Sequence, residues 1–138
     1  MSSLDRQLLA EKTAAVERHL TRVAARLPAH AADLLPSSDA SDAVVLHLWQ
    51  AVQIVIDLAL SCCLHEKLGA PSTYADAFRR LAEAGFLDAK LAERLTRASG
   101  FCNRVAHAYE RLDMAKVHEA ALSGPEDLRE FLRVLRDR

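Results

Sequence analysis

Apolar residues recur along this chain at three- and four-residue spacing, which is the period of an α-helix buried on one side. Leu9, Val16, Leu20, Val23 and Leu27 form the first such stripe. It predicts a helix from about Ser3 to Leu27, ended by Pro28. The stretch from Ala29 to Ser41 holds Pro36-Ser37-Ser38-Asp39 and reads as a loop. Asp39 or Ser41 then supplies an N-cap. The next stripe, Val45, Leu48, Val52, Ile56, Ala59 and Cys63, predicts a helix from about Asp42 to Leu68. Leu46, Trp49, Val55 and Leu60 widen its apolar surface past half its girth, so it is central or lies in an interface. Gln50, Gln53 and Asp57 interrupt that surface and read as satisfied polar groups of the core or of an interface.

Gly69 is expected as the C′ residue of this helix, with Pro71 after it. Ser72 or Thr73 caps a short helix to about Ala84, with Tyr74, Phe78 and Leu81 inward and Gly85 at its end. A fourth helix starts near Leu87 or Asp88 and carries Leu87, Leu91, Leu95 and Ala98. It continues into a second stripe, Phe101, Val105, Ala108 and Leu112. Asp113 caps a following segment with Met114, Val117 and Leu122 inward. Ser123-Gly124-Pro125-Glu126 reads as a capping box that opens a last helix to about Arg136, packed through Leu128, Phe131, Leu132 and Leu135.

Composition agrees with the periodicity. Only 4 Gly and 4 Pro occur in 138 residues, and Ala, Leu, Arg and Glu are plentiful. With no repeat and no dividing linker, residues 1–138 are expected to form one all-α domain, a bundle of five or six helices. The net charge of −1 makes the whole molecule a poor magnet for polyanions. Between Lys90 and His118, however, six cations (Lys90, Arg94, Arg97, Arg104, Arg111, Lys116) face three carboxylates (Glu93, Glu110, Asp113). Three cysteines without a framework read as reduced thiols, and the first residues hold no apolar signal core; both point to the cytoplasm. The longest apolar run, Ala43 to Leu64, is broken by His47, Gln50, Gln53 and Asp57, so a core helix is expected there and no membrane span. Cys62, His65 and Glu66 on one helix fall short of a metal site. His19, His30, His47 and His118 share no spacing, and no metal or cofactor is expected.

The polar chemistry is concentrated in Gly100 to Asp113. On one continuous helix, Phe101, Val105, Ala108 and Leu112 fall within about 60° of one another. Asn103 and His107 then neighbour each other on a different face, with Arg104 and Arg111 on the same side. Cys102 and Tyr109 share the other flank.

This run resembles the Arg-Asn-x-x-x-His-x-Tyr motif of HEPN ribonuclease toxins, in particular the HepT type that is paired with an MntA-type nucleotidyltransferase antitoxin. Asn103, His107 and Tyr109 match the family's Asn, His and Tyr; the family's Arg position is Cys102. Further similarity lies in Leu48-Trp49-Gln50-Ala51-Val52-Gln53-Ile54-Val55-Ile56-Asp57, in Pro71-Ser72-Thr73-Tyr74-Ala75-Asp76-Ala77-Phe78 and in Leu81-Ala82-Glu83-Ala84-Gly85, so it spans roughly residues 4 to 136. The resemblance implies a HEPN-type bundle that acts as a homodimer, with two motifs meeting in a cleft that cuts RNA. It also implies that Tyr109 accepts AMP groups from the antitoxin.

Metal-free RNA cleavage needs a base for the 2′-hydroxyl, an acid for the 5′-oxygen and a cation for the phosphorus charge. Histidine suits the proton transfers and guanidinium the phosphate. One His107 per chain does not serve as both base and acid, whereas two meeting across a symmetric dimer do. Asn103 would orient the ring or touch phosphate. Cys102 has neither the charge nor the donor fork of arginine, and losing such a donor costs about 10²–10³ in rate. Three explanations stay open: a non-toxic member, an attenuated form, or Arg104 acting as the phosphate contact. Arg97, nearly three turns from His107, is less well placed. The alternative function is a non-catalytic HEPN module, the partner or substrate-binding subunit of a separate nucleotidyltransferase.

Overall fold

The computed structural model describes residues 5–138, so Ser3 and Leu4, at the start of the first expected helix, lie outside the described residues. Five α-helices follow one another, and no strand occurs among the described residues. Helix α1 (Arg6–Arg26) begins where the Asp5 carboxylate accepts from the Gln7 amide at 2.8 Å. It buries Leu9, Val16, Leu20 and Val23 of the expected stripe, and Leu27, its C-cap, is half-buried. A 3-10 turn, Ala31–Asp33, lies in the segment read as loop.

Helix α2 (Asp39–His65) starts three residues earlier than expected. Neither Asp39 nor Ser41 is its cap; Ser38 is. The Ser38 hydroxyl accepts from the Ser41 amide at 3.1 Å, and the Ser41 hydroxyl accepts from the Ser38 amide at 3.1 Å. Two orphan amides are thereby satisfied reciprocally, with serine in the place usually taken by glutamate. The helix also ends before Gly69. Lys67 adopts the left-handed conformation (φ 60), and the amides of Lys67 and Leu68 return to the carbonyls of Leu64 and Cys63 at 3.2 and 2.9 Å. That is a Schellman turn with lysine at C′. Gly69 has another reason to be glycine. Its φ is 89, and a Cβ there would lie 2.7 Å from the Arg80 guanidinium.

Helix α2 is the axis of the bundle and packs against each of the other four helices. By length and composition it is apolar enough to cross a membrane, but it buries Val44, Leu48, Ala51, Val55, Ile56 and Ala59 among its neighbours. Gln50 and Gln53 are half-buried and Asp57 is exposed. Helix α3 (Tyr74–Glu83) is capped by Thr73 and closed by Gly85 at φ 85. Its Phe78 meets Phe131 edge to face at 6.0 Å, a pair worth about 0.5–1.5 kcal/mol beyond its burial.

Helix α4 (Ala89–Ala108) is capped by Asp88 and buries Leu91, Ala92, Leu95, Phe101 and Cys102. Helix α5 (Met114–Arg136) is capped by Asp113 and runs unbroken to its end. The capping box expected at Ser123 does not form. The Ser123 hydroxyl donates back to the Glu119 carbonyl at 3.0 Å, and Pro125 lies inside the helix. An interior proline costs about 3 kcal/mol. Here Val117 and Ala121 on one side of it and Leu128, Leu132 and Leu135 on the other are all buried, so packing holds the helix continuous through the proline. Leu122, expected inward, is 63% exposed because it falls off the buried face.

Candidate functional site

The helical stripe that carries the polar cluster stops short of its expected end. Ala108 turns to φ −148, ψ 37, and Tyr109–Arg111 form a single 3-10 turn before Asp113 starts α5. Phe101 is buried, Val105 and Ala108 are half-buried, and Leu112 rests against the core from beyond the break. Asn103, Arg104 and His107 therefore lie on the last two turns of α4, on its solvent side, and all three are exposed. None of their side chains makes a hydrogen bond or an ion pair among the described residues. Asn103 and His107 are one turn apart on the same face, as their spacing requires.

Arg104 reaches into a groove of about 640 Å³ between α4 and α5. Lys116 lines the same groove, over a bed that includes Leu48, Ala98 and Phe101. The local excess of cations is smaller than the sequence count suggests. Arg94 is committed to two carboxylates from outside that stretch, Asp127 at 2.8 Å and Glu130 at 3.3 Å, while Arg97 pairs with Glu93, already in the count, at 3.3 Å. Arg104, Arg111 and Lys116 carry no such partner among the described residues.

Cys102 turns the other way. It is 3% exposed, packed on α2 with its Sγ 3.9 Å from the Trp49 carbonyl. Burial pushes its thiol up to about 12. A thiol so held stays protonated, which removes it as a nucleophile. The position of the family's Arg and the face of His107 are thus on different sides of α4 within one chain.

Tyr109 is 46% exposed at the edge of a second groove, about 370 Å³, between α2 and α4. Its hydroxyl donates to Asp42 Oδ1 at 2.8 Å. Burial, then the adjacent Asp42 carboxylate, push the phenol above its ordinary value. The shared flank of Cys102 and Tyr109 survives the helix break, because both face α2, at Trp49 and Asp42.

Two features escaped the sequence. Asp42, Tyr109's partner, is 67 residues distant, and its sequence position marks only the start of a helix. His19 and His47, which share no spacing, meet between α1 and α2 with their Nδ1 atoms 3.0 Å apart. Burial first, and then neighbouring positive groups, lower both imidazoles below their usual value. Cys62 is buried and His65 exposed although they share a turn, so they diverge; among the described residues no group of three or more His, Cys, Asp or Glu converges.

Residues 16–135 match the family described as HepT-like, "Ribonuclease HepT-like". The chain is 27% identical over 95 residues to the mRNA nuclease HepT of Shewanella oneidensis, which covers 69% of this chain and 71% of that protein. Its fold is similar to that of a tri-AMPylated HEPN toxin of Shewanella oneidensis solved in complex with MNT antitoxin. That likeness has a TM-score of 0.86 at 22% identity, over 98% of this chain and 100% of the other. It is also similar to YutE of Bacillus subtilis, a cytosolic protein of unknown function, with a TM-score of 0.80 at 15% identity, over 99% of this chain and 92% of the other.

Proposed function

Because this chain belongs to the HepT-like ribonuclease family, we propose that it is the toxin half of a toxin–antitoxin pair and a metal-independent endoribonuclease weakened by Cys102. The observation that carries this reading is the exposed trio Asn103, Arg104 and His107 on the last turns of α4, unpartnered among the described residues. A polar group without an internal partner is available to a ligand, and these three supply the groups that RNA cleavage asks for.

In this reading, His107 takes the proton of the 2′-hydroxyl as its oxygen bonds to phosphorus. His107 of a second copy gives a proton to the departing 5′-oxygen. Arg104 contacts the non-bridging oxygens and Asn103 orients the ring or the phosphate. None of these tasks calls for a metal. The second histidine requires a homodimer in which the exposed faces of α4, with part of α2, meet about a two-fold axis. Tyr109, two residues from His107 and half exposed, is the acceptor of nucleotidyl groups from an MNT-type antitoxin. Adding anionic bulk there repels RNA and obstructs the cleft.

The test compares RNA cleavage and growth arrest by the chain as it stands, by Cys102→Arg, and by His107→Ala in each background. The expected result is weak cleavage by the chain, a gain of about 10²–10³ in Cys102→Arg, and loss with His107→Ala. Cys102 is buried, so a guanidinium there reaches solvent only by snorkelling past Trp49. Circular dichroism therefore accompanies the assay and establishes which variants are folded. Cleavage by the chain at full strength would make Arg104 the sufficient cation and remove the weakening. Folded variants that all fail to cleave would overturn the nuclease reading in favour of a non-catalytic partner of a nucleotidyltransferase.

A further inference from the structure

The turn that follows His107 is poorly fastened. Tyr109, Glu110 and Arg111 are all exposed, and among the described residues the backbone of this turn packs on no helix other than α4, which leads into it. Yet the turn determines where α4 ends, since the break at Ala108 immediately precedes it. Its tie to the bundle axis is the Tyr109 hydroxyl, which donates to Asp42 Oδ1 at 2.8 Å. Asp42 lies in the first turn of α2, where unpaired amides favour a carboxylate. The bond also closes one edge of the groove lined by Val45, Leu46, Trp49 and Val105.

A phenol has one proton to donate, and an ionised carboxylate only accepts. The link exists only while that proton is on Oη. Replacing it by a phosphodiester removes the donor and sets an anion against the Asp42 carboxylate, so attraction becomes repulsion.

We propose that Asp42 and Tyr109 form a latch that fastens the turn after His107 to α2, and that a nucleotidyl group placed on the Tyr109 oxygen opens it. The second half rests on the reading of Tyr109 as the modified residue. In that step the Tyr109 O–H bond breaks and Oη bonds to the α-phosphorus of a nucleoside triphosphate. The bond from that phosphorus to pyrophosphate breaks, and the proton leaves to solvent. The turn is then free of α2 and the end of α4 loses its stop. Modification thus unfastens the backbone beside His107 as well as crowding it.

Hydrogen exchange read by mass spectrometry tests the latch on the purified full-length chain, with no transferase present. Tyr109→Phe and Asp42→Ala should each speed exchange in residues 105–113 by about tenfold or more, and the double variant should add little further. Asp42→Asn keeps an acceptor at the same place and should stay near the native rate. Exchange in residues 121–135 of α5 is the control and should not change. Trp49, the single tryptophan, lines the groove and should shift its fluorescence with the latch. Native exchange in Tyr109→Phe, or equal effects in residues 121–135, would overturn the latch. A chain with phosphotyrosine incorporated at position 109 should match Tyr109→Phe; native protection in it would overturn the opening step. Whether Tyr109 is the acceptor at all is read separately, as the site of mass gain with ATP and an MNT-type transferase. That answer leaves the Phe and Ala results standing.

Discussion

Two polar clusters in this protein each hold an arginine and are treated in opposite ways. At the start of α3, Asp76 is 8% exposed and surrounded. It accepts from the Ser72 amide at 3.0 Å and the Arg80 guanidinium at 2.9 Å, and Arg79 is paired with it as well. Arg80 goes on to donate to the Leu68 carbonyl at 2.6 Å. The Ser72 amide, then Arg80, hold the Asp76 carboxyl well below the usual carboxylate range. At the end of α4, Asn103, Arg104 and His107 have no partner among the described residues. The first cluster fastens the α2–α3 connection to α3. The second makes no such bond among the described residues, and under the proposed function the difference separates a structural use of charge from one directed at a ligand.

The strongest way to break this contrast is to remove one member of each cluster. In the Cys102→Arg background, His107→Ala should reduce RNA cleavage by about 10²–10⁴ while leaving the melting temperature unchanged. Asp76→Ala should do the reverse, lowering the melting temperature and sparing cleavage wherever the protein is still folded. Removing Asp76 strips an acceptor from the Ser72 amide and from two guanidinium groups. Equal melting losses in the two variants would mean that the α4 cluster is structural after all.

Acid should separate the clusters next. Asp76 is lowered in the folded state, so its contribution is present above its unfolded value of 3.8 and is lost as pH falls below that. His19 and His47 are also lowered from 6.5, but there the unfolded state takes up the proton first. Stability is therefore retained above about pH 6.5 and declines as pH falls toward the depressed values, with Arg18 and Arg22 adding to the repulsion. Melting temperatures measured from pH 8 to pH 3 should fall in two steps. His47→Gln should flatten the upper step and leave the lower one. A single step below pH 4 would show that the His19–His47 contact carries no proton linkage.

The helices were legible because burial writes a period into each of them. The stripes of α1, α3 and the first half of α4 face the core as read, with Leu27, Tyr74 and Ala98 half-buried and the rest buried. The polar cluster was legible for the complementary reason: Asn103, Arg104 and His107 fall off the stripe that the core claims. Errors collected where a local rule met a tertiary one. Pro125 ordinarily starts a helix, and packing on both sides of it made it interior. Lys67 took the left-handed position that glycine usually fills. No glycine or proline marks the break at Ala108, and the partner that fastens the turn beyond it, Asp42, comes from another helix. Pairings such as His19 with His47 depend on how α1 lies on α2, which no spacing within either helix records.

The finest test concerns two arginines on the same helix. Arg97 pairs with Glu93 one turn before it, and both are 68% exposed, so the pair is worth a few tenths of a kcal/mol at most. Arg104 has no carboxylate partner among the described residues and opens onto the groove it shares with Lys116. Arg97→Gln and Arg104→Gln each remove one positive charge, so long-range attraction for RNA should weaken alike. A direct phosphate contact differs because it releases counterions when it forms. Binding of a single-stranded RNA, measured by fluorescence anisotropy across a salt series in the His107→Ala background, distinguishes the two. Arg104→Gln should reduce the slope of log affinity against log salt by about 0.7, and Arg97→Gln should leave it unchanged. Equal slopes would make Arg104 one more surface charge, and the exposed face of α4 would then need a ligand other than the RNA backbone.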